Sequence, residues 1–244
     1  MLIDRNIETE MKDMKYQYET EFAVTAFIDV LGTSEAIKED ADRSLNEIHL
    51  AYDDAVKELK MRCPAWVKEF KVNIFSDNIL LSCKAVKGEE IKAFYAIIYF
   101  SALLQISMWT HNLLVRGGIS WGSFFSDETM VWGKALLRAY DLESKAAFYP
   151  RIVVEPEIAD IIMECRSKSH EGLFLSRDFD GMYYVDPFGI ESGQAKLVLL
   201  EQFLDDNKVR LEKSKGNPRV HQKHSWLQRY FCEKYGEVNG KDFR

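Results

Sequence analysis

Residues Lys71–Cys83 read KVNIFSDNILLSC. Branched and aromatic residues fill both ends, which predicts two short strands, Lys71–Phe75 and Ile79–Cys83, joined by the tight polar turn Ser76-Asp77-Asn78. A carboxylate at such a hinge must stay in water or meet a cation, so the hairpin holds Asp77 on a rigid platform. A second carboxylate, Asp29, closes the apolar stretch Phe22–Ile28, and Val30-Leu31-Gly32-Thr33-Ser34 follows at once and opens a helix. If the two strands are neighbours, their acidic ends meet beside a helix N-terminus. That arrangement suits two Mg or Mn ions and a triphosphate.

Outward from this hairpin, apolar periodicity predicts a helix from Ser34 to about Met61, stopped by Pro64, and a long apolar helix from about Glu89 to Leu114. Val115–Phe124 reads as a strand whose glycines mark a close approach of another backbone or a ligand. A helix from Lys134 to Phe148 and a strand Arg151–Glu155 follow. Strand, helix, strand, strand, helix, strand is the split unit of ferredoxin-like sheets. The expected fold class is α+β, a palm-type antiparallel sheet with crossover helices. A short helix Ile158–Cys165, a hairpin from Leu173–Ser176 and Met182–Val185, and two charged helices, Gln194–Lys213 and Val220–Tyr235, complete the chain. The expected organisation is a charged lead-in over 1–20, one domain over 21–190 and a helical extension over 191–244.

The formal charge of −7 across 244 residues argues against nucleic acid or an anionic membrane as partner. Four cysteines without a CxxC pair fit reduced thiols and a cytoplasmic location rather than a disulfide frame. The charged first 21 residues lack the apolar core of a signal peptide. Ala93–Trp109 is almost continuously apolar, but it is shorter than the roughly 20 residues a membrane span needs and carries Gln105, so it reads as a core helix.

FIDVLG (Phe27–Gly32), FSDN (Phe75–Asn78), RGGISWG (Arg116–Gly122) and VWGKALLRAYDLES (Val131–Ser144) occur in the order of the corresponding motifs of class III nucleotidyl cyclases, which the chain resembles from about Phe22 to Glu155. Its outline resembles most the small stand-alone pyrimidine cyclases of bacterial Pycsar anti-phage systems. The resemblance implies conversion of a nucleoside triphosphate, with uracil favoured over cytosine, to a 3′,5′-cyclic monophosphate and pyrophosphate. It further implies a homodimer with its site between subunits and two Mn or Mg ions. Asp29 and Asp77 then resemble the metal-binding aspartates, Val30 the residue lending a backbone carbonyl, and Leu31, Gly32, Thr33 and Ser34 the phosphate-binding turn. Where purine cyclases present a transition-state asparagine and arginine, this chain has Leu137 and Asp141, and the base-selecting lysine is Asn73. Arg116 and Arg138 are the candidates to supply the missing positive charge.

Each assignment has a plainer counterpart. Ser34 reads equally as an N-cap, Arg116 as half of an ion pair, and Asn73 as a polar strand residue. His221, His224 and Cys232 resemble part of a metal site but lack a second cysteine at ligand spacing. Trp226, Leu227, Tyr230 and Phe231 read as a packing face or a subunit contact. Two rival functions share the architecture: a palm-type synthase of cyclic dinucleotides, and a degenerate cyclase domain acting as a nucleotide sensor or dimerisation module.

Overall fold

The strand that carries Asp29 runs through the middle of the sheet and is covered on both faces. A computed structural model describes residues 18–166, 174–190 and 194–239. The elements are β1 (Glu21–Leu31), α1 (Thr33–Arg62), β2 (Phe70–Phe75), β3 (Asn78–Lys84), α2 (Glu90–Thr110), β4 (Leu114–Ser126), β5 (Val131–Gly133) and α3 (Lys134–Lys145). They continue with β6 (Ile152–Val154), α4 (Pro156–Arg166), β7 (Leu175–Arg177), β8 (Tyr183–Val185), α5 (Gln194–Lys213) and α6 (Pro218–Asn239). Most of the 1–20 lead-in and the expected start of the late hairpin at Leu173 lie outside the described residues.

The sheet order is β2-β3-β1-β4-β6-β8-β7, with β5 paired to β4. Every pairing is antiparallel except β4 with β6. The first four strands stand in the ferredoxin-like order, as the split unit predicts, and α1 and α2 are its crossovers. Alternation along β1 sends Val24, Ala26, Ile28 and Val30 into the large core beneath α1 and α2. Ala23 and Phe27 point the other way, against Ala135 and Ala139 of α3. The helix α3 sits so close that a Cβ at Gly118 would lie 2.3 Å from the Ala139 carbonyl oxygen. Glycine is required there for the approach, not for its backbone angles.

Several boundaries differ from expectation. The first strand runs past Asp29 to Leu31, because Val30 and Leu31 still pair with Val115 and Leu114. The apolar helix ends at Thr110 rather than Leu114, since Leu114 is already taken by that ladder. Val131–Gly133 is a strand, and α3 stops at Lys145, short of Phe148. The first helix breaks at Asp40, whose φ/ψ of −159°/97° leave the helical region while its Oδ1 accepts from the Arg43 amide at 3.0 Å. That is an N-cap contact restarting the helix.

Among the described residues α2 alone is long and apolar enough to cross a membrane, and every residue from Phe100 to Trp109 is buried. It packs against the sheet, α1, α4 and α5, which matches the core-helix reading. The two C-terminal helices close over the end of the sheet where Leu31 and Leu114 lie. Trp226, Leu227, Tyr230 and Phe231 pack with Trp109, Tyr184 and Phe203, so this apolar face is internal packing. Trp226 Nε1 donates to Asp178 at 2.6 Å and the Tyr230 hydroxyl to Asp186 at 2.7 Å. Asp178 also meets Arg151, a fully buried arginine that pairs with Asp180 as well.

His224 is buried in the seam between α5 and α6. Asn207 uses its Nδ2 to donate to the His224 carbonyl and to Gln228, so its Oδ1 accepts the His224 Nδ1–H at 2.7 Å. Burial, then the charges of Arg210 and Lys223 and the neighbouring His221, push the His224 pKa from 6.5 down to about 4. The unfolded chain therefore takes up a proton between about pH 6.5 and 4 that the folded chain refuses, and stability falls as pH falls through that window. A chemical-denaturation series from pH 7.5 to 4.5 is expected to show a loss of roughly 1–3 kcal/mol that His224→Gln reduces. An unchanged slope in His224→Gln would locate the acid sensitivity elsewhere.

Candidate active site

The register of β1 decides what surrounds Asp29. Asp29 lies opposite Asn78 on β3 and opposite Arg116 on β4. The Val30 amide donates to the Asp77 carbonyl at 2.9 Å, which fastens the hairpin turn to the end of β1. The turn is tight because Phe75 pairs with Asn78, leaving Ser76 and Asp77 as its two central residues, and Ser76 takes a φ of 55° to close it. Asn78 Nδ2 donates to Asp77 Oδ1 at 3.1 Å. Asp29, near the end of β1, and Asp77, in the turn before β3, thus lie next to one another.

Arg116 is the direct partner of Asp29, with Nε 3.0 Å from Oδ2, and its Nη2 lies 2.6 Å from Glu143 Oε1. Glu143 is buried on α3, on the same helical stripe as Ala135 and Ala139. Burial raises the pKa of Asp29; Arg116 works against that rise and the Asp77 charge adds to it. Burial raises Glu143 too, opposed by Arg116. From α6, Lys223 acts electrostatically on Asp29, Glu143 and Arg116, and burial, then Arg116, lowers its own pKa.

Val30, Leu31, Gly32 and Thr33 line a cavity of about 370 Å³ that continues to Ser44, Ile48, Asn112, Arg210, Val220, Lys223 and His224. Gly32 caps α1 at a φ of 85°, a left-handed backbone that suits glycine. Ser34 lies inside the helix and is not its cap. The Thr33 hydroxyl bonds to the Val30 carbonyl, so one lone pair of the oxygen assigned to metal is engaged. Leu31 turns its side chain to the aromatic cluster of the C-terminal helices. The break at Asp40 leaves only about two turns of helix behind Gly32, which weakens the helix-dipole contribution expected there.

Arg138 and Asn73 stand apart from this corner. Arg138 pairs with Glu155, and its Nη1 lies 3.3 Å from the Trp121 carbonyl. Trp121 is five residues along β4 from Arg116, about 17 Å at strand rise. One chain does not bring Arg138 to the aspartates. Asn73 pairs across to Leu80, itself opposite Phe27, so it shares the sheet face of Asp29 but lies two strands over. Its Oδ1 accepts from Ser126 Oγ at 3.4 Å.

The partial metal set on α6 is accounted for by packing. His221 bonds to Leu211 and Ser214, His224 to Asn207, and Cys232 accepts from Gln228. No group of three or more His, Cys, Asp or Glu arranged to hold a metal occurs among the described residues. Two hard carboxylates nevertheless fit Mg or Mn, which complete their shells with phosphate and water rather than an all-protein cage. Burial first, and the Asp77 charge to a lesser degree, raise the Asp29 pKa, and a divalent cation would offset both by favouring the carboxylate form.

A comparison of folds identifies the architecture. The adenylyl cyclase CyaB from P. aeruginosa superimposes with a TM-score of 0.51 at 16% identity, covering 72% of this chain and 97% of that one. The fold is that of class III nucleotidyl cyclases. The guanylyl cyclase domain of the RhoGC fusion protein from the aquatic fungus Blastocladiella emersonii is a further similar structure. It has a TM-score of 0.48 at 15% identity and covers 69% of this chain and 96% of that domain. No protein-family model matches the sequence, and no curated protein does.

Glu143 and Lys223 are the members of the corner that sequence reasoning missed. Glu143 had a signal: it continues the Ala135–Ala139 stripe, so a carboxylate falls where the helix faces the sheet. Lys223 had none, being far along the chain in a helix rich in charge. Asp29→Asn is expected to leave the melting temperature unchanged or raise it by up to about 3 °C, because it removes a buried charge facing Asp77 while Arg116 keeps Glu143. A fall of several degrees in thermal denaturation would mean that the Asp29–Arg116 pair outweighs that relief.

Proposed function

We propose that this protein is a nucleotidyl cyclase converting UTP, or CTP, to the 3′,5′-cyclic monophosphate and pyrophosphate. Two Mg or Mn ions would be held by Asp29 and Asp77, in a homodimer with the site at the interface. The observation that carries this reading is the placing of both carboxylates at one end of the central strand in a cyclase fold. When bound, the ions lower the pKa of the ribose hydroxyl and offset charge on the departing pyrophosphate.

The chain supplies the rest. Asp29, Asp77 and the Val30 carbonyl would hold the ions, and the backbone of Leu31, Gly32, Thr33 and Ser34 would face the phosphates. Arg116 would bring a positive charge to the reacting phosphorus, and its ion pair with Glu143 would keep it there were its hold on Asp29 released.

The pyrimidine assignment rests on the motif resemblance and on the departures from the purine pattern. Leu137 is exposed, and Asp141 is tied to Lys145 at 2.8 Å. The amide of Asn73 offers both a donor and an acceptor to a pyrimidine edge. A role for the product as a signal in anti-phage defence, inside the cytoplasm, follows from the same resemblance.

The dimer reading is supported by the sheet face that α3 leaves open. Phe75 and Tyr140 are half exposed, and both touch Phe27, giving an apolar run that starts two residues before Asp77. Leu137, on the same helix, is 66% exposed. A second copy seated there buries this surface and brings its own α3, with Arg138, toward the first copy's aspartates.

Purified protein given each of the four triphosphates with Mn is expected to release pyrophosphate and the cyclic monophosphate from UTP or CTP, with Asp77→Asn at least about 100-fold slower and still folded. A dinucleotide product, or triphosphate binding without pyrophosphate release, would replace this reading by the synthase or the sensor. Leu137→Glu is expected to shift the protein from dimer to monomer in light scattering and to lower turnover with it. Full activity in a monomeric Leu137→Glu protein would place the whole site within one chain.

A further inference from the structure

Lys223 is the one feature of the corner that no motif accounts for. It sits on α6 one turn from Val220 and beside His224, and all three line the cavity that begins at Val30 and Leu31. The lysine is half-buried, and among the described residues it feels Asp29, Glu143, Arg116 and Arg219 electrostatically without a direct hydrogen bond or ion pair. Asp29 and Glu143 act on this ammonium only through space, and a half-desolvated ammonium with no directly bonded anion leaves its donors open to one. On the same wall Arg210 of α5 is also half-buried, with its Nη1 3.4 Å from the Asn112 carbonyl. The carboxylate on the cavity wall, Glu47, is already paired with Arg43 at 2.8 Å. At about 370 Å³ the cavity falls in the range of small-ligand sites.

We propose that the C-terminal helices complete the nucleotide site: Lys223, with Arg210 behind it, binds the terminal phosphates of a polyphosphate chain lying in the cavity beside Asp29. The extension is then a working part of the enzyme rather than an appendage. Its two cations neutralise the end of the polyphosphate remote from Asp77, where the two aspartates add only negative charge. Burial first, then the Arg116 charge, lowers the Lys223 pKa, with Asp29 and Glu143 opposing; a phosphate bound there would favour the charged ammonium. The inference rests on the cyclase reading for the nucleoside, but the phosphate site can be tested without it.

The probe is inorganic triphosphate, titrated by calorimetry into the full-length chain, with EDTA and separately with Mn. Wild-type protein is expected to bind it, Lys223→Gln to bind at least about tenfold more weakly, and Lys223→Arg to recover most of the loss. Thermal melting of each variant without ligand separates lost binding from lost structure. If Lys223→Gln proves unfolded, Lys223→Met and Arg210→Gln carry the same comparison. No binding by the wild type, or equal binding by folded Lys223 variants, overturns the proposal whatever the turnover. Lys223-dependent binding in a protein that cyclises no nucleotide sustains the phosphate site and removes the cyclase.

Discussion

The register of β1 between β3 and β4 is the constraint on which the site depends. Six successive residues of this strand, Ala23–Ile28, are buried, with α1 and α2 on one face and α3 on the other. A slip of one residue would exchange the two faces, sending Phe27 toward α2 and Ile28 toward α3, and every apolar contact resists it. That same register fixes Asp29 between the Asp77 turn and Arg116. Core packing therefore positions the carboxylates, and they need not contribute stability to be held in place.

Charge at this corner is arranged to be unfinished. Asp29, Asp77 and Glu143 face Arg116 and Lys223, leaving a formal excess of one negative charge. Arg116 touches Asp29 and Glu143 together, so losing one carboxylate still leaves the arginine paired with the other. A cation held by Asp29 would compete with Arg116 for the same carboxylate, and the ion pair with Glu143 would keep the arginine local. A buried carboxylate on α3 thus links the helix that lines the open sheet face to the acidic end of β1.

What could be read from the sequence follows from the range of each signal. The hairpin at Ser76–Asp77, the buried first strand and the order of the first four strands rest on local alternation and on the spacing of helices and strands, which are visible in short windows. Asp29 and Asp77 were legible because a carboxylate ending an apolar strand contradicts its surroundings. Ends of elements were less legible: the same apolar run serves helix and strand, and only the pairing of Leu114 with Leu31 ends α2 at Thr110. Arg138 lies away from the aspartates of its own chain, a placement that its nearness in sequence to a motif could not give, because that says nothing about which end of β4 a helical side chain overhangs. The capping role of Gly32 and the break at Asp40 depend on backbone angles that several residue types permit.

The C-terminal helices were read as an extension because their composition is charged, yet their attachment is apolar and deeply seated. Trp109 comes from the central helix α2 and stacks on Phe203 of α5, while Phe231 of α6 packs on the same ring. Asp178 and Asp186, from the β7–β8 region, fix α6 by hydrogen bonds to Trp226 and Tyr230, so the helix is held by two carboxylates as well as by its aromatic face. This attachment fixes the rotation of α6 about its axis. Val220, Lys223 and His224 of the helix so held line the cavity that begins at the Leu31–Thr33 turn. The aromatic core that fastens the last helix is therefore also what aims a lysine at the acidic corner, and a change in that core would be felt at Asp29 without touching it.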